Sequence, residues 1–452
     1  VVRYRRNQQL LMQVPPSAPA EREADRAAAR ALVRECIASG RELLNEPESK
    51  ALLAAYGIPV VETRSVQTAG EAAQVAVQIG FPVALKILCP DVTHKSDVGG
   101  VALDLADPGM VAQAAEAMAR RLASLKPSAR LAGFTVQAMA RRPEAVELLA
   151  GAATDAVFGP VIVFGSGGIA VEIVADRALA LPPLNMVLAR DLVARTRAAR
   201  LLAGYRSRPP ADLDAVCGVL IRLAELVTDI AEVTEIDINP LLADEAGVVA
   251  LDARVRVRAV PPGTSPYDRL AIRPYPEELV RSVEWQGSLL TIRPIRPEDG
   301  AAHTAFFSRL TPEDVRLRMF VRIRELSPAQ LARFTQIDYD REMAFIATRP
   351  GPDGAPETLG VARAVADPDN QRAEFAVTIR SDLKGQGLGT LLMRTLIDYS
   401  RKRGTRQMVG EALAENTGIQ RLAARLGFKR TVLPGEDEVT MCLDLQREPE
   451  SA

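Results

Sequence analysis

Between Pro261 and Pro276 the chain packs five prolines and a glycine into a short stretch. Each proline fixes φ and removes a backbone donor, so no helix or central strand can run through this segment. A chain of 452 residues carrying such a break is expected to fold as separate units on either side of it. The boundaries that follow are a linker and Ala-rich helix over 1–39, a first domain over 40–260, a linker over 261–287 and a second domain over 288–446. Each flank is long enough to bury a core of its own.

The charge balance narrows the partners. Fifty-six Lys and Arg against 57 Asp and Glu give a net charge of −1, whereas nucleic acid and anionic membranes reward a basic excess. Aromatic residues are only 4%, too few for base-stacking platforms. Neither nucleic acid nor a membrane is therefore expected as a partner, and the oligomeric state is left open. Cys36, Cys89, Cys217 and Cys442 show no CxxC spacing, which suits a reducing cytoplasm. The opening, Val1 to Arg6, has no apolar targeting segment, and its lack of methionine fits a fragment or a misread start. The uncharged stretch Ala156 to Val171 is short and broken by glycines, so it reads as two buried strands around a glycine turn.

Before the proline segment, helical and extended patterns alternate, which predicts an α/β unit. Pro15 to Ala20 reads as a stiff linker and Gly40 as the stop of the Ala-rich helix. Thr68 and Glu71 form a capping box, and Gly80 ends the helix it opens. Lys86 interrupts the apolar strand Phe81 to Leu88 and needs an anionic partner, for which phosphate is a candidate. Further on, the strands Val233 to Leu242 and Val248 to Val257 read as a hairpin. Asn239 and Asp252 fall on its two arms, where two hard oxygen donors would suit Mg²⁺; polar turn chemistry is the plainer reading.

These features, with Gly57-Ile-Pro59, Ile79-Gly-Phe-Pro82, the polar loop Thr93 to Gly100 and Phe158-Gly-Pro160, resemble the ATP-grasp domain of NDP-forming acyl-CoA synthetases. The resemblance implies ATP and Mg²⁺ as ligands, with Lys86 on the phosphates and Asn239 and Asp252 on the metal. It implies further that Gln137 to Met139 lie near adenine, with Glu147 at the same pocket, and that the Gly165 to Gly168 turn lines the cleft. The loop containing His94 matches one that carries phosphohistidine in these synthetases. They take CoA from another half, and Arg3 to Gln8 resembles the junction to it. This chain is accordingly expected not to complete acyl-CoA synthesis by itself.

After the proline segment, the strand Glu374 to Arg380 runs into Lys384-Gly-Gln-Gly-Leu-Gly389, which opens a helix at Thr390. Glycines let successive backbone N–H groups converge on an anion at a helix N-terminus. No Lys-Ser/Thr pair follows the last glycine, so this is not a Walker A loop. Together with Asn416 and the helix ending in Leu426-Gly-Phe428, the passage resembles the GNAT N-acetyltransferase family over Leu289 to Leu445, with Lys384 at a position where that family carries Arg or Gln. The resulting fold class is an ATP-grasp domain followed by a GNAT-type mixed α+β domain.

The GNAT resemblance implies acetyl-CoA as co-substrate, its pyrophosphate held by N–H groups of Gln386, Gly387, Leu388, Gly389 and Thr390. Asn416 would contact the pantetheine arm or assist the leaving thiol. Glu374 is the candidate acid/base, because a lysine amine with a pKa near 10.4 must lose a proton before it attacks. Cys442, on an apolar strand, reads as a packed thiol, and His303 has no constellation around it. The pairing of the two modules resembles Pat-type protein lysine acetyltransferases, which implies an AMP-forming acyl-CoA synthetase as protein substrate. Two other readings stay open: the ATP-grasp half of an acyl-CoA ligase, and a nucleotide sensor without chemistry.

Overall fold

A computed structural model of the chain describes residues 10, 12–15, 24–92, 95–168, 176–204, 208–261, 263–321, 323–351, 354–432 and 437–446. His94, the junction segment Arg3 to Gln8, the linker beyond Pro15 and the last part of the Ala156 to Val171 stretch lie outside the described residues. The chain divides into two units, Ser17–Ile272 and Arg273–Ala452 with Val1–Pro16.

In the first unit, α1 (Arg26–Ala38) is capped by the Asp25 side chain and buries Ala29, Val33 and Cys36. That spacing puts one apolar stripe into the core, so the helix is part of the unit rather than a preface to it. An Asn45/Glu48 capping box starts α2 (Glu46–Ala55). There follow β1 (Thr63–Val66), α3 (Ala69–Ile79), β2 (Val83–Leu88), β3 (Val101–Leu105), α4 (Pro108–Leu125) and β4 (Gly133–Ala138). Both boundary signals of α3 are realised, the Thr68/Glu71 box and Gly80 at φ 94°. The four strands form a sheet in the order β1-β4-β2-β3, on which α3 and α4 pack.

A second sheet of the same unit begins with β5 (Val146–Asp155), β6 (Gly159–Ser166) and β7 (Arg177–Ala180). After α5 (Met186–Ala194), α6 (Ala198–Leu202) and α7 (Leu213–Asp229) it is completed by β8 (Val233–Asp244), β9 (Gly247–Ala250) and β10 (Ala253–Val257). Its order is β10-β8-β5-β6-β7, with β9 also paired to β8. The second arm of the expected hairpin is thus two strands, broken at Leu251 and Asp252. Pairs Leu241↔Ala250 and Ala253↔Ile238 bracket the break, so the register sets Asp252 across from Asn239.

The second unit contains β11 (Arg281–Trp285), β12 (Ser288–Pro294), α8 (Gly300–Ser308), α9 (Pro312–Met319), α10 (Pro328–Thr335), β13 (Glu342–Pro350), β14 (Pro356–Ala366) and β15 (Arg372–Ile379). It continues through α11 (Leu388–Lys402), β16 (Gln407–Leu413), α12 (Thr417–Arg425), β17 (Lys429–Val432) and β18 (Glu438–Asp444). The sheet order is β11-β12-β13-β14-β15-β16-β18-β17. Strand β11 starts within the expected linker. It forms a hairpin with β12 through Gln286 and Gly287, both at positive φ (52° and 72°), the backbone signature of a tight two-residue turn. Helix α11 presses Leu388, Leu392, Met393 and Leu396 into this sheet's core.

Candidate active sites

The second unit's site arises from an interruption in its sheet. Strands β15 and β16 are parallel but pair only at Arg372↔Gln407, Ala373↔Met408 and Glu374↔Val409. Beyond Glu374 they part, while β15 stays paired with β14 as far as Ile379. Gly410 sits at the fork, where a Cβ would lie 2.4 Å from the Phe375 ring, so only glycine lets that ring fill the opening. A groove of about 510 Å³ runs from the fork, lined by Glu374 to Ile379 on one side and by Glu411, Ala412 and Asn416 on the other.

At the groove's far end lies the start of α11. Gly387 is its N-cap at φ 89°, and no side chain among the described residues caps the helix, so the first-turn amides keep their donors and the positive end of the helix dipole. Of the five residues expected to hold a diphosphate, Gly387, Gly389 and Thr390 line the groove. Leu388 does not, because its side chain is in the core. Gln386 is engaged elsewhere: its carbonyl accepts from the Trp285 indole (3.0 Å) and its side chain from Gln286 (2.9 Å). These two positions offer backbone alone. Lys384 is tied to Asp314, which also accepts from Ser381. Burial alone would raise the Asp314 carboxyl, but the hydrogen bonds from Lys384, Ser381 and Thr311 outweigh it and hold it below the usual range.

Asn416 reaches the groove as the N-cap of α12, its Oδ1 accepting from Ile419 N–H at 3.3 Å. That bond leaves its amide NH₂ for a ligand. Glu374, exposed at the fork, lies within electrostatic reach of Arg318 on α9. His303 is buried between the rings of Phe306 and Phe334, and burial, aided by Arg363, pushes it down to about 4. It is a neutral core histidine. Cys442 is half-buried on β18, opposite Val409.

The first unit's site is a cavity of about 390 Å³ whose walls include Lys86, Lys95, Gln137, Met139, Asn239 and Asp252. Five of the sequence-chosen residues therefore meet in one place. Glu147 is outside this lining, its carboxylate against Gly168. The Gly168 N–H in turn donates to Asn239 Oδ1 at 2.9 Å, so the glycine turn is fastened to the proposed metal ligand. Gln137 is at the wall, but its Oε1 accepts from Lys50 at 2.9 Å.

The sequence reading missed the group at the centre of these lysines. Glu46, only 6% exposed, binds Lys86 at 2.7 Å, Lys95 at 2.5 Å and Lys50 at 3.1 Å. Burial alone would raise its carboxyl, but Lys86, Lys50 and Lys95 together hold it at about 2. Burial pushes Lys50 down to about 8 against the pull of Glu46. The Glu46/Lys50 pair, one turn apart in α2, was a readable signal; its convergence with Lys86 and Lys95 was not. Lys86 thus already has an anionic partner, and a phosphate would join or replace that carboxylate.

The donor set suits a hard divalent cation. Asn239 and Asp252 face each other in register, and burial followed by repulsion from Asp252 and Glu235 raises Asp237, against the pull of Arg254. A cation there would relieve the clash between the two aspartates. Among the described residues no group of three or more His, Cys, Asp or Glu forms a complete cage, so phosphate or water oxygens would fill the remaining positions, as Mg²⁺ prefers. No helix among the described residues is long and apolar enough to cross a membrane.

Comparison with known proteins places two families on the chain. An ATP-grasp domain matches residues 35–257 and an acetyltransferase (GNAT) domain matches residues 290–429. Over 229 residues the chain is 35% identical to the beta subunit of an ADP-forming acetate–CoA ligase I of Pyrococcus furiosus, covering 51% of this chain and 97% of that one. Over 142 residues it is 39% identical to an acetyltransferase of Pseudomonas aeruginosa, covering 31% of this chain and 76% of that one. Among solved structures, a Korarchaeum cryptofilum dinucleotide-forming acetyl-coenzyme A synthetase in complex with coenzyme A and Ca-AMPCP is 36% identical, with a TM-score of 0.49 over 51% of this chain and 100% of that one.

Proposed function

Because the chain belongs to the ATP-grasp family of ADP-forming acyl-CoA ligases through its first unit and to the GNAT acetyltransferases through its second, we propose that it transfers acetyl from acetyl-CoA to a protein lysine amine under the control of a nucleotide. The carrying observation is the fork at Glu374: one open groove joins a row of uncapped helix amides to a carboxylate at the point where the sheet divides.

In this reading the amides at Gly387, Gly389 and Thr390 hold the diphosphate, and the acyl arm lies along the edge that β15 exposes beyond the fork. The free NH₂ of Asn416 orients the pantetheine or the departing thiol. Glu374 takes the proton of the incoming ammonium, directly or through one water. The neutral amine then attacks the thioester carbon, the C–S bond breaks, and the departing thiolate takes up the surplus proton of the new amide nitrogen to leave as the thiol. No covalent acyl-enzyme is needed. In the first unit, ATP would be held at the Lys86 and Lys95 side of the cavity and Mg²⁺ at Asn239 and Asp252, and the bound pair would supply a regulatory signal. An AMP-forming acyl-CoA synthetase is the protein substrate we propose.

The test is incubation of the full chain with labelled acetyl-CoA and such a synthetase, with ATP and Mg²⁺ present or absent. Glu374→Gln is expected to cut turnover by roughly 10²–10⁴ while leaving the KM for acetyl-CoA nearly unchanged. An unaltered rate in that variant removes Glu374 from the mechanism. A label that never reaches lysine removes the reading as a whole.

A further inference from the structure

Helix α9 carries two arginines with different fates. Arg316 pairs with Glu313 and Glu415. Arg318, half a turn further on, makes no hydrogen bond and no ion pair within 4 Å among the described residues. Three buried or nearly buried guanidiniums of the unit do have carboxylates: Arg293 pairs with Asp299, Arg363 with Glu342, and Arg380 with Glu357 and Asp382. Arg318 is half-buried, and burial, followed by repulsion from Arg363, pulls it below the ordinary arginine value, with Glu374 alone opposing. A guanidinium has five donors and cannot shed its proton, so Arg318, half-buried with its nitrogens still open to the groove, keeps donors for an anionic ligand.

The position says which ligand. Arg318 lines the groove beside Glu374 and also a smaller cavity of about 40 Å³ whose walls are mostly apolar, among them Phe306, Phe307, Met319 and Phe334, with Arg363 and Thr378. His303, another wall, has an Nδ1 with no partner among the described residues. A carboxylate would therefore meet Arg318 from the groove side, where Glu374 also lies, and not inside this cavity. Glu374, Ala376 and Thr378 alternate along β15 and therefore share one face of the sheet, with Arg363 paired across from Ala376. The cavity begins one such step from Glu374, roughly 7 Å along the strand.

We infer that Arg318 is a specificity-determining residue that reads a carboxylate on the acetyl acceptor, the side chain of an Asp or Glu close in sequence to the lysine whose amine Glu374 deprotonates. This rests on the proposed lysine acetylation and adds the chemistry of the acceptor to it. The pairing is intermolecular: the acceptor's carboxylate supplies the counter-charge missing from the free protein, and it is lost again when product leaves. Arg318 touches neither the thioester nor the diphosphate in this arrangement.

The test uses two peptides that differ at one residue beside the lysine, Glu in one and Gln in the other, as acceptors for the full chain. The wild type is expected to favour the Glu peptide by about tenfold in kcat/KM, chiefly through KM. Arg318→Gln should bring the Glu peptide down to the level of the Gln peptide, leave the Gln peptide unchanged, and leave the KM for acetyl-CoA unchanged. Arg318→Lys should keep part of the preference and serves as the variant that preserves charge should the glutamine variant fold poorly. Equal use of the two peptides by the wild type overturns the inference without needing any variant. So does an Arg318→Gln variant that slows both peptides alike, which is what a residue that only positions Glu374 would do. If acetyl-CoA binds but neither peptide is acetylated, the lysine reading itself falls, and this inference with it.

Discussion

Glu46→Gln isolates the electrostatic centre of the nucleotide cavity, because one buried carboxylate offsets three ammonium groups there. Glutamine keeps the shape and removes the charge, leaving Lys50, Lys86 and Lys95 facing one another. Removing one member of a buried ion pair typically costs about 3–5 kcal/mol. Linkage gives a similar figure: a carboxyl held at about 2 instead of 4.5 is stabilised by roughly 3 kcal/mol in the folded state. For a unit of this size that is a fall in melting temperature of about 6–12 °C. Calorimetry of the full chain should show it in the transition belonging to the first unit and not in the other. The same variant should bind ATP more tightly, since the phosphates no longer compete with a resident carboxylate for the lysines. Acid behaviour supplies a second reading. Between 4.5 and 2 the unfolded chain takes up a proton that the folded Glu46 refuses, so the wild type keeps this contribution above pH 4.5 and loses it as the pH falls toward 2. The variant should lack that slope. Unchanged melting together with unchanged ATP affinity would refute the picture of Glu46 as the counter-ion.

Two further outcomes follow from backbone and metal chemistry. Gly387→Ala places a Cβ at φ 89°, a strain of about 1 kcal/mol, but meets no atom of the described residues within 4 Å. The chain should therefore fold while the KM for acetyl-CoA rises, as checked by thermal melting and steady-state kinetics. Asp252→Asn should weaken Mg²⁺-dependent ATP binding by at least about tenfold, read by titration calorimetry with and without Mg²⁺, and leave the KM for acetyl-CoA unchanged.

Much of the candidate chemistry was legible along the chain because it is local. The glycine loop before Thr390, the Thr68/Glu71 box and the Asn239 and Asp252 arms each depend on residues close in sequence or joined by a short turn. The hairpin register then brought the last pair together as their spacing predicts. Other features had only weak local signals. β11 was hidden beside the prolines because its turn, Gln286-Gly287, lacks the Asn or Asp that usually marks such a hairpin. Gln137 looked free to face adenine, yet a lysine 87 residues away claims its side-chain oxygen.

By itself the amino-acid order determined where the chain must divide, which segments alternate as helix and strand, and which glycine loop opens a helix with bare amides. These are set by backbone sterics, capping and periodicity within a few residues. Only the tertiary structure decided that Glu46 answers three lysines, that β15 and β16 part at Glu374, and that Arg318 has no carboxylate partner among the described residues. Those outcomes depend on which distant strands and helices meet and in what register, and a side chain's electrostatic partner is known only once that meeting has excluded the water between them.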